Sequence, residues 1–270
     1  MHARPKPPFP YIDIPLILEK VGDFPWRVLV TAGDMVYLLV NALGSFRDLR
    51  GQRGRVLRGT IIQQMYFTAL QSVGLICVIG FSLGVLTVLP LFGLGMSDVH
   101  SQAMAMRVVL FHQLVPLLTA LVIIGRSGTA ITAELGDMRQ RGVIDNLLTM
   151  GVEPHGFIVF PRLLALTFSL LLLTLWGNLA AMAGAGAYNL FRGGDVGGFV
   201  LACVTNLPIA DMLLTTLMVV CWGVTIVLVH AHLGLRARNS VETQRLLPKA
   251  FVHSLLGCVA LTVIFAFARQ

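Results

Sequence analysis

The stretch LLALTFSLLLLTLWGNLAAMAGAGAYNLF, residues 163–191, contains no Asp, Glu, Lys or Arg. A helix that crosses the hydrocarbon core of a bilayer needs about 20 predominantly apolar residues, with a range of roughly 17–25. The stretch meets that length, and the alanines and glycines near its end suit close contact between helices. It therefore predicts a membrane-spanning helix.

Further runs without charged residues extend this pattern along the chain, at 59–97, 108–125, 212–235 and 250–268. The protein is 56% hydrophobic and only 12% charged, whereas soluble domains average about 25% charged residues. We expect an all-α integral membrane fold with five spans, at about 61–89, 106–133, 158–188, 208–234 and 250–268. Pro90 and the glycines at 93 and 95 are expected to end or bend the first span.

The basic residues are distributed unevenly between the loops. Of 20 Lys and Arg, nine lie in 1–58, and three and four more lie in the loops 134–162 and 235–249. Cytoplasmic loops carry such an excess, which predicts a cytoplasmic N-terminus and a periplasmic C-terminus. Five spans also require the termini to lie on opposite sides. The same placement argues against nucleic acid as the partner of the net charge of +7.

The domain organisation follows from these runs. Residues 1–10 are rich in proline and base and predict a disordered tail. Residues 11–58 contain an amphipathic pattern over 28–43 that predicts a helix lying in the cytoplasmic interface. Residues 59–270 form the five-span domain. The four cysteines lie in apolar segments and are expected to act as small buried apolar side chains.

No pattern in the chain predicts catalysis or a cofactor. There is no GxxxxGK[ST] phosphate-binding loop, so ATP hydrolysis is not expected of this chain. His230 and His232 are two residues apart at a helix end, which favours a structural role over a metal site. No span holds paired carboxylates, which argues against a proton relay. Arg126 either reaches the cytoplasmic face or lines a cavity; its position allows both.

A charged segment, AELGDMRQRGVIDNLLTMGVEP at 133–154, interrupts the apolar sequence between the second and third spans. Ile144, Leu147 and Leu148 recur with helical spacing, and Asp137 precedes Arg141 by four residues, the favourable order on a helix. The spacing predicts a short amphipathic cytoplasmic helix at about 135–150. A solvated loop and a docking surface for a cytoplasmic partner both fit this spacing.

Residues 125–165 closely resemble the signature of the MlaE/YrbE permease family, the membrane subunits of MCE-associated ABC transporters. A weaker resemblance runs from about residue 11 to the C-terminus and includes HAHLGLRARNS (230–240) and AFVHS (250–254). The matching positions are Gly125, Arg126, Gly128, Ala133, Glu134, Leu135, Gly136, Met138, Ile144, Asp145, Leu147, Met150, Val152, Glu153, Pro154, Pro161 and Arg162.

This resemblance implies a homodimer in the bacterial inner membrane that takes part in phospholipid transport and outer-membrane lipid asymmetry. Each copy would have an N-terminal interfacial helix and five spans. A separate cytoplasmic ABC ATPase would hold ATP and magnesium and receive the 134–154 segment as a coupling helix. A periplasmic MCE-domain protein would dock on the other side. A small STAS-type regulator is a further partner to consider, and the substrate would be phospholipid or a related lipid.

Three groups of site residues follow from the resemblance and from the polar and small residues in the spans. The ATPase-coupling group is Glu134, Gly136, Met138, Arg139, Asp145, Leu147, Met150, Glu153 and Pro154. The lipid-cavity group is Gln71, Gly84, Pro90, His112, Gln113 and Pro116. The dimer-packing group is Gly80 and Gly84, from the GxxxG pattern.

The lipid-cavity group also contains departures from the family pattern. His112-Gln113 stands where relatives often carry Arg-Glu, and Pro90 stands where they often carry Gln. These departures keep open a second function, a membrane scaffold for an ATPase/MCE complex that does not transport. A secondary transporter is a further alternative; it would need charged or discontinuous helices near mid-membrane, and Arg126 is the only hint of one.

Overall fold

The computed structural model describes residues 33–40, 44, 52–95, 98–151, 155–205, 207–237 and 239–268. Within these ranges the regular structure is helical, with no strand. Five helical runs are long and apolar enough to cross a membrane, and we call them spans 1 to 5: Arg58–Gly93, Val99–Gln140, Phe157–Phe191, Ile209–Arg236 and Ser240–Ala268. The predicted number of spans is therefore confirmed.

The spans are longer than expected, because a charged residue ends an apolar run without ending the helix that carries it. Span 5 begins at Ser240 rather than near 250, and it continues through Pro248. Span 1 likewise continues through Pro90 to Gly93. It ends where Gly95 adopts a positive φ of 77°, a conformation that glycine adopts without steric cost. The glycines therefore end span 1 as expected, whereas Pro90 lies inside the helix.

Shorter helices lie outside the spans, at Val143–Thr149, Val196–Thr205 and residues 33–40. The single helix expected at 135–150 is two helices, because span 2 runs to Gln140 and Gly142 breaks the chain with a φ of 70°. The helix Val196–Thr205 was not predicted. Residues 33–40 lie within the expected interfacial helix, and Asp34 pairs with Arg236 at the end of span 4. The predicted tail 1–10 lies outside the described residues.

Span 3 is the central helix of the bundle. Of the 18 consecutive residues that are most apolar in each span, 67% are buried in span 3, compared with 22% in span 1 and 17% in span 5. Span 1 packs closely along span 3: Gly80 and Gly84 are both buried there, against the backbone carbonyls of Gly177 and Ala181. These contacts lie within one chain. The two glycines therefore pack span 1 against span 3 within the chain. That they pack a dimer, and that Gly84 lines a lipid cavity, stay predictions.

Two apolar cores hold the bundle together at its two ends. The larger core joins all five spans around side chains such as Leu135, Leu166 and Trp222. The smaller core, at the other end, includes Phe199 and Cys203 from the helix Val196–Thr205. The two cores make the described part of the chain one packed unit and leave polar hollows beside them.

Spans 1 and 2 contain wider, π-helical turns at Tyr66–Leu70, Met106–Leu114 and Ile124–Gly128. Pro116 lacks an N–H group and would crowd the carbonyl four residues earlier in a regular α-helix. The wide turn before it relieves that contact, and Val115 donates to the Leu110 carbonyl, five residues back. Such turns often occur at functional sites, and two of the three border the polar cavity described next.

Candidate functional site

A polar cavity of about 420 Å³ lies between spans 1, 2 and 3, near the end of the bundle that carries the 141–156 connection. Most of its lining side chains are polar, which is costly inside a membrane domain unless they have polar partners. The residues that line it are Thr60, Gln63, Gln64, Phe67, Thr68, Gln71, Arg126, Ser127, Ala130, Ile131, Glu134, Arg162 and Leu166.

Arg126 crosses this cavity from span 2 to span 1. Its guanidinium donates to the Ser72 hydroxyl at 2.6 Å, to the Phe67 carbonyl at 3.2 Å and to the Gln71 side-chain oxygen. The Phe67 carbonyl lies in the π-helical turn of span 1. Of the two positions that the sequence allowed, Arg126 occupies the cavity.

Glu134 and Arg162 form an ion pair on the same wall, with Nη2 of Arg162 2.8 Å from Oε2 of Glu134. The Arg162 side chain is only 9% exposed, whereas that of Glu134 is 52% exposed. Arg162 also donates through Nη1 to the Ile158 carbonyl at 2.9 Å. Glu134 was predicted to dock the coupling segment on an ATPase, and the structure shows that it also joins the end of span 2 to the start of span 3.

The helix Val143–Thr149 presents one apolar side to the bundle and another to the outside. Ile144 is buried and Leu147 packs against the larger core. Leu148 and Met150 are 56% and 76% exposed. The helical spacing had grouped Leu148 with Ile144 and Leu147. Only the structure shows that Leu148 faces outward while Leu147 faces the bundle.

The remaining residues of the predicted coupling group divide between packing and surface. Gly136 and Met138 pack inward, and a Cβ on Gly136 would lie 2.6 Å from the Thr243 hydroxyl of span 5. Arg139 pairs with Asp145 at 3.2 Å across the break between the two helices. The expected Asp137–Arg141 pair is confirmed at 2.9 Å. Glu153 and Pro154 lie outside the described residues.

His112 lies in a second hollow, of about 270 Å³, toward the other end of the bundle. Its Nδ1 is 2.8 Å from the Thr215 hydroxyl, and its Nε2 is 3.5 Å from the Asp211 carboxylate. Arg107 lies 3.6 Å from the same carboxylate, and Gln113 also lines the hollow. The opposite charges of Arg107 and Asp211 make this hollow close to neutral.

The predicted lipid-cavity residues therefore divide between different places in the chain. Gln71 lines the polar cavity with Arg126, whereas His112 and Gln113 line the second hollow. Pro116 is buried below that hollow, and Pro90 is exposed near the end of span 1. Whether these residues contact lipid stays a prediction.

His230 is fully buried where spans 2, 4 and 5 meet. The Thr132 hydroxyl lies 2.7 Å from its Nδ1 and donates to its carbonyl at 3.2 Å. The Ser254 hydroxyl lies 3.3 Å from its Nε2. A Cβ on Gly128 would lie 2.5 Å from the ring, so the second signature glycine leaves room for this imidazole. The contacts are those of a structural histidine, and no group of three metal-ligating side chains occurs within the described ranges.

We expect Thr132→Val to lower the stability of the protein by about 1–3 kcal/mol, because it leaves a buried His230 nitrogen without its hydroxyl partner. Thr119→Val is the matched control, since Thr119 is equally buried but its hydroxyl contacts only the Val115 carbonyl of its own helix. Thermal unfolding of both variants in detergent tests this. Equal melting temperatures for the two variants would show that the His230 contacts contribute nothing.

Several of these residues were not singled out by sequence reasoning. Arg162 belonged to the matching signature, but nothing in the spacing indicated that it pairs with Glu134. Asp211 stands at the edge of an uncharged run. Its position could have indicated a polar partner, because a carboxylate near a span usually has one. Thr132 and Ser254 carried no signal, since hydroxyl side chains are common in membrane helices.

The comparisons with known proteins agree with this architecture. The family described as Permease MlaE matches residues 61–268, which include all five spans except the first three residues of span 1. A probable ABC transporter permease protein of Rickettsia felis is 30% identical over 136 residues, 48% of this chain and 52% of the relative. The intermembrane phospholipid transport system permease protein MlaE of Haemophilus influenzae is 30% identical over 163 residues, 52% and 61% respectively.

A plant relative extends the range of similar proteins. The chloroplastic protein TRIGALACTOSYLDIACYLGLYCEROL 1 of Arabidopsis thaliana is 29% identical over 179 residues, 63% of this chain and 47% of the relative. The matches to these relatives cover about half of their length. The family match, in contrast, covers most of this chain. It contains the second hollow, the 133–151 segment and all of the polar cavity except Thr60. The chain is therefore a multi-pass membrane protein that belongs to the MlaE permease family.

Proposed function

We propose that this chain is the membrane subunit of an ABC transporter that moves phospholipid or a related lipid between the inner and outer membranes. The observation that carries the proposal is the exposed apolar pair Leu148 and Met150, at the end of a short anchored helix in a family of permeases. Exposed apolar side chains grouped on one short element are typical of a docking site. The name of the Haemophilus relative supports phospholipid as the substrate class.

In this proposal, a separate cytoplasmic ATPase binds ATP and magnesium and docks on the helix Val143–Thr149. Ile144 anchors this helix to the bundle, and the Arg139–Asp145 pair joins it to span 2. The Glu134–Arg162 pair then joins span 2 to span 3. Movement of the docked helix would therefore reach two spans through ion pairs and buried packing rather than through a flexible loop.

The proposed assembly contains two copies of this chain in the inner membrane, with the 141–156 connection in the cytoplasm. An MCE-domain protein on the periplasmic side would receive or deliver the lipid. The weakly buried spans 1 and 5 leave apolar surface for a second copy or for lipid. The hollow around His112 and Asp211 would lie toward the periplasmic half.

ATP turnover in a reconstituted complex tests the proposal. The chain would be co-expressed with its candidate ABC ATPase subunit and placed in vesicles of phosphatidylglycerol and phosphatidylethanolamine. We expect ATP turnover to rise when phospholipid is supplied, and labelled phospholipid to leave the vesicles in an ATP-dependent manner. A complex that forms but shows neither effect would contradict transport and favour the scaffold.

A further inference from the structure

The polar cavity between spans 1, 2 and 3 carries more positive than negative charge. Two guanidinium groups, those of Arg126 and Arg162, and one carboxylate, that of Glu134, line it. Glu134 is paired with Arg162. The hydrogen bonds of Arg126 within the described residues all go to neutral oxygens. The excess positive charge therefore lies at Arg126.

Arg162 is the second guanidinium in the wall of the same cavity. Its side chain is more than nine-tenths buried. Its two terminal nitrogens donate to Glu134 and to the Ile158 carbonyl, but its buried Nε–H has no partner among the described residues. A buried N–H group of a charged side chain is costly when it is left without an acceptor. This N–H is shielded from the open space, so Arg162 contributes to the cavity through its charge, which Glu134 offsets.

The other lining groups suit an anion with several oxygens. Thr60, Gln63, Gln64 and Ser127 carry hydroxyl or amide donors around the same space. Arginine is the side chain that best matches the planar, two-oxygen recognition of phosphate. The volume of about 420 Å³ falls in the range of roughly 300–1,000 Å³ of small-ligand sites. It can hold a headgroup, but it is too small for two acyl chains as well.

We propose that this cavity binds the phosphate group of a phospholipid headgroup, in the leaflet on the side of the 141–156 connection. Phe67, Ile131 and Leu166 provide apolar wall for the glycerol end of the lipid. Thr60 and Glu134 lie near the ends of spans 1 and 2, close to the level at which headgroups occur. The inference deepens the proposed function, because it adds a headgroup site separate from the hollow around His112. Binding itself requires no transport.

Lipid binding to the full chain in maltoside detergent tests the proposal. The probe is labelled phosphatidylglycerol, and diacylglycerol with the same acyl chains is the phosphate-free comparison. We expect the protein to bind phosphatidylglycerol and to bind diacylglycerol about tenfold less tightly or worse, because the charged contacts of Arg126 are lost. Equal binding of the two lipids would overturn the proposal.

The Gln63→Glu variant tests the site without removing a packed side chain. Gln63 is exposed and lines the cavity, so the new carboxylate should repel phosphate and weaken phosphatidylglycerol binding about tenfold or more. Gln244→Glu is the matched control, because Gln244 is also exposed but belongs to span 5. We expect Arg126→Gln to behave like Gln63→Glu. Unchanged binding in the Gln63→Glu variant would overturn the proposal.

Further outcomes distinguish a lipid headgroup from free phosphate as the ligand. They also distinguish failure of the headgroup site from failure of the transport function. Displacement of phosphatidylglycerol by inorganic phosphate at a similar concentration would assign the site to free phosphate and overturn the lipid headgroup. Phosphatidylglycerol binding that is insensitive to the cavity variants, in a complex whose ATP turnover still responds to lipid, would refute this site alone. Binding that follows the variants, without ATP coupling, would refute only the transport function.

Discussion

Replacing Gly84 with leucine is expected to lower the stability of the folded protein strongly. A Cβ at position 84 would overlap the Ala181 carbonyl oxygen and lie 2.9 Å from the Ala185 nitrogen. Both are backbone atoms of span 3, so no side-chain rotation can relieve the overlap. Overpacking a tight core costs typically about 1–3 kcal/mol and sometimes more. The total free energy of unfolding is only about 5–15 kcal/mol, so forcing spans 1 and 3 apart would remove a large part of it.

The matched control is Gly74→Leu in the same span. A Cβ on Gly74 would meet no heavy atom within 4 Å, and Gly74 is exposed. We expect this variant to be purified from detergent with the yield and melting temperature of the unchanged protein, whereas Gly84→Leu aggregates or melts far lower. Similar melting temperatures for the two variants would mean that spans 1 and 3 do not approach as closely as the structure shows.

Replacing Met150 with aspartate is expected to prevent the ATPase from co-purifying with this chain. Met150 is 76% exposed, so the folded chain should tolerate the change. Burying a methionine side chain contributes about 1.5–3 kcal/mol, and a buried carboxylate without a partner adds a further penalty. The affinity for the ATPase should therefore fall about 100-fold or more. Leu148→Asp should act in the same way.

The control is Ile209→Asp, at the opposite end of the bundle, where Ile209 is also 76% exposed. Aspartate is favourable in the first turn of a helix, so span 4 should form normally. We expect this variant to retain the ATPase and its lipid-dependent ATP turnover. Retention of the ATPase by both Met150→Asp and Leu148→Asp would show that the ATPase docks elsewhere.

The structure also changes which substitutions test coupling well. Leu147 packs against the larger core, and Glu134 neutralises the buried Arg162. Substituting either residue would therefore disturb the bundle as well as any docking surface. Leu148 and Met150 face outward and separate the two effects. This distinction required the structure, because the helical spacing of 144, 147 and 148 does not show which side of the helix meets the bundle.

Local sequence was sufficient for the fold class and for the number of spans. Long runs without charge predict spanning helices, because each span satisfies its own backbone hydrogen bonds. The pair Asp137–Arg141 was also predictable from local sequence, because residues four positions apart are neighbours on a helix surface. The span ends were less predictable. Helices continue past the last apolar residue, and the break at Gly142 depends on the conformation of one residue.

Only the tertiary structure decided which polar and small residues meet. Arg126 bonds to residues more than 50 positions earlier, and Gly84 meets the backbone of span 3. Composition and periodicity describe the surface that each helix offers, but the partner of that surface depends on how the five helices pack. The sequence alone therefore determined five spans and a charged segment between the second and third of them. The packing of the helices assembled the cationic cavity and turned Leu148 and Met150 outward.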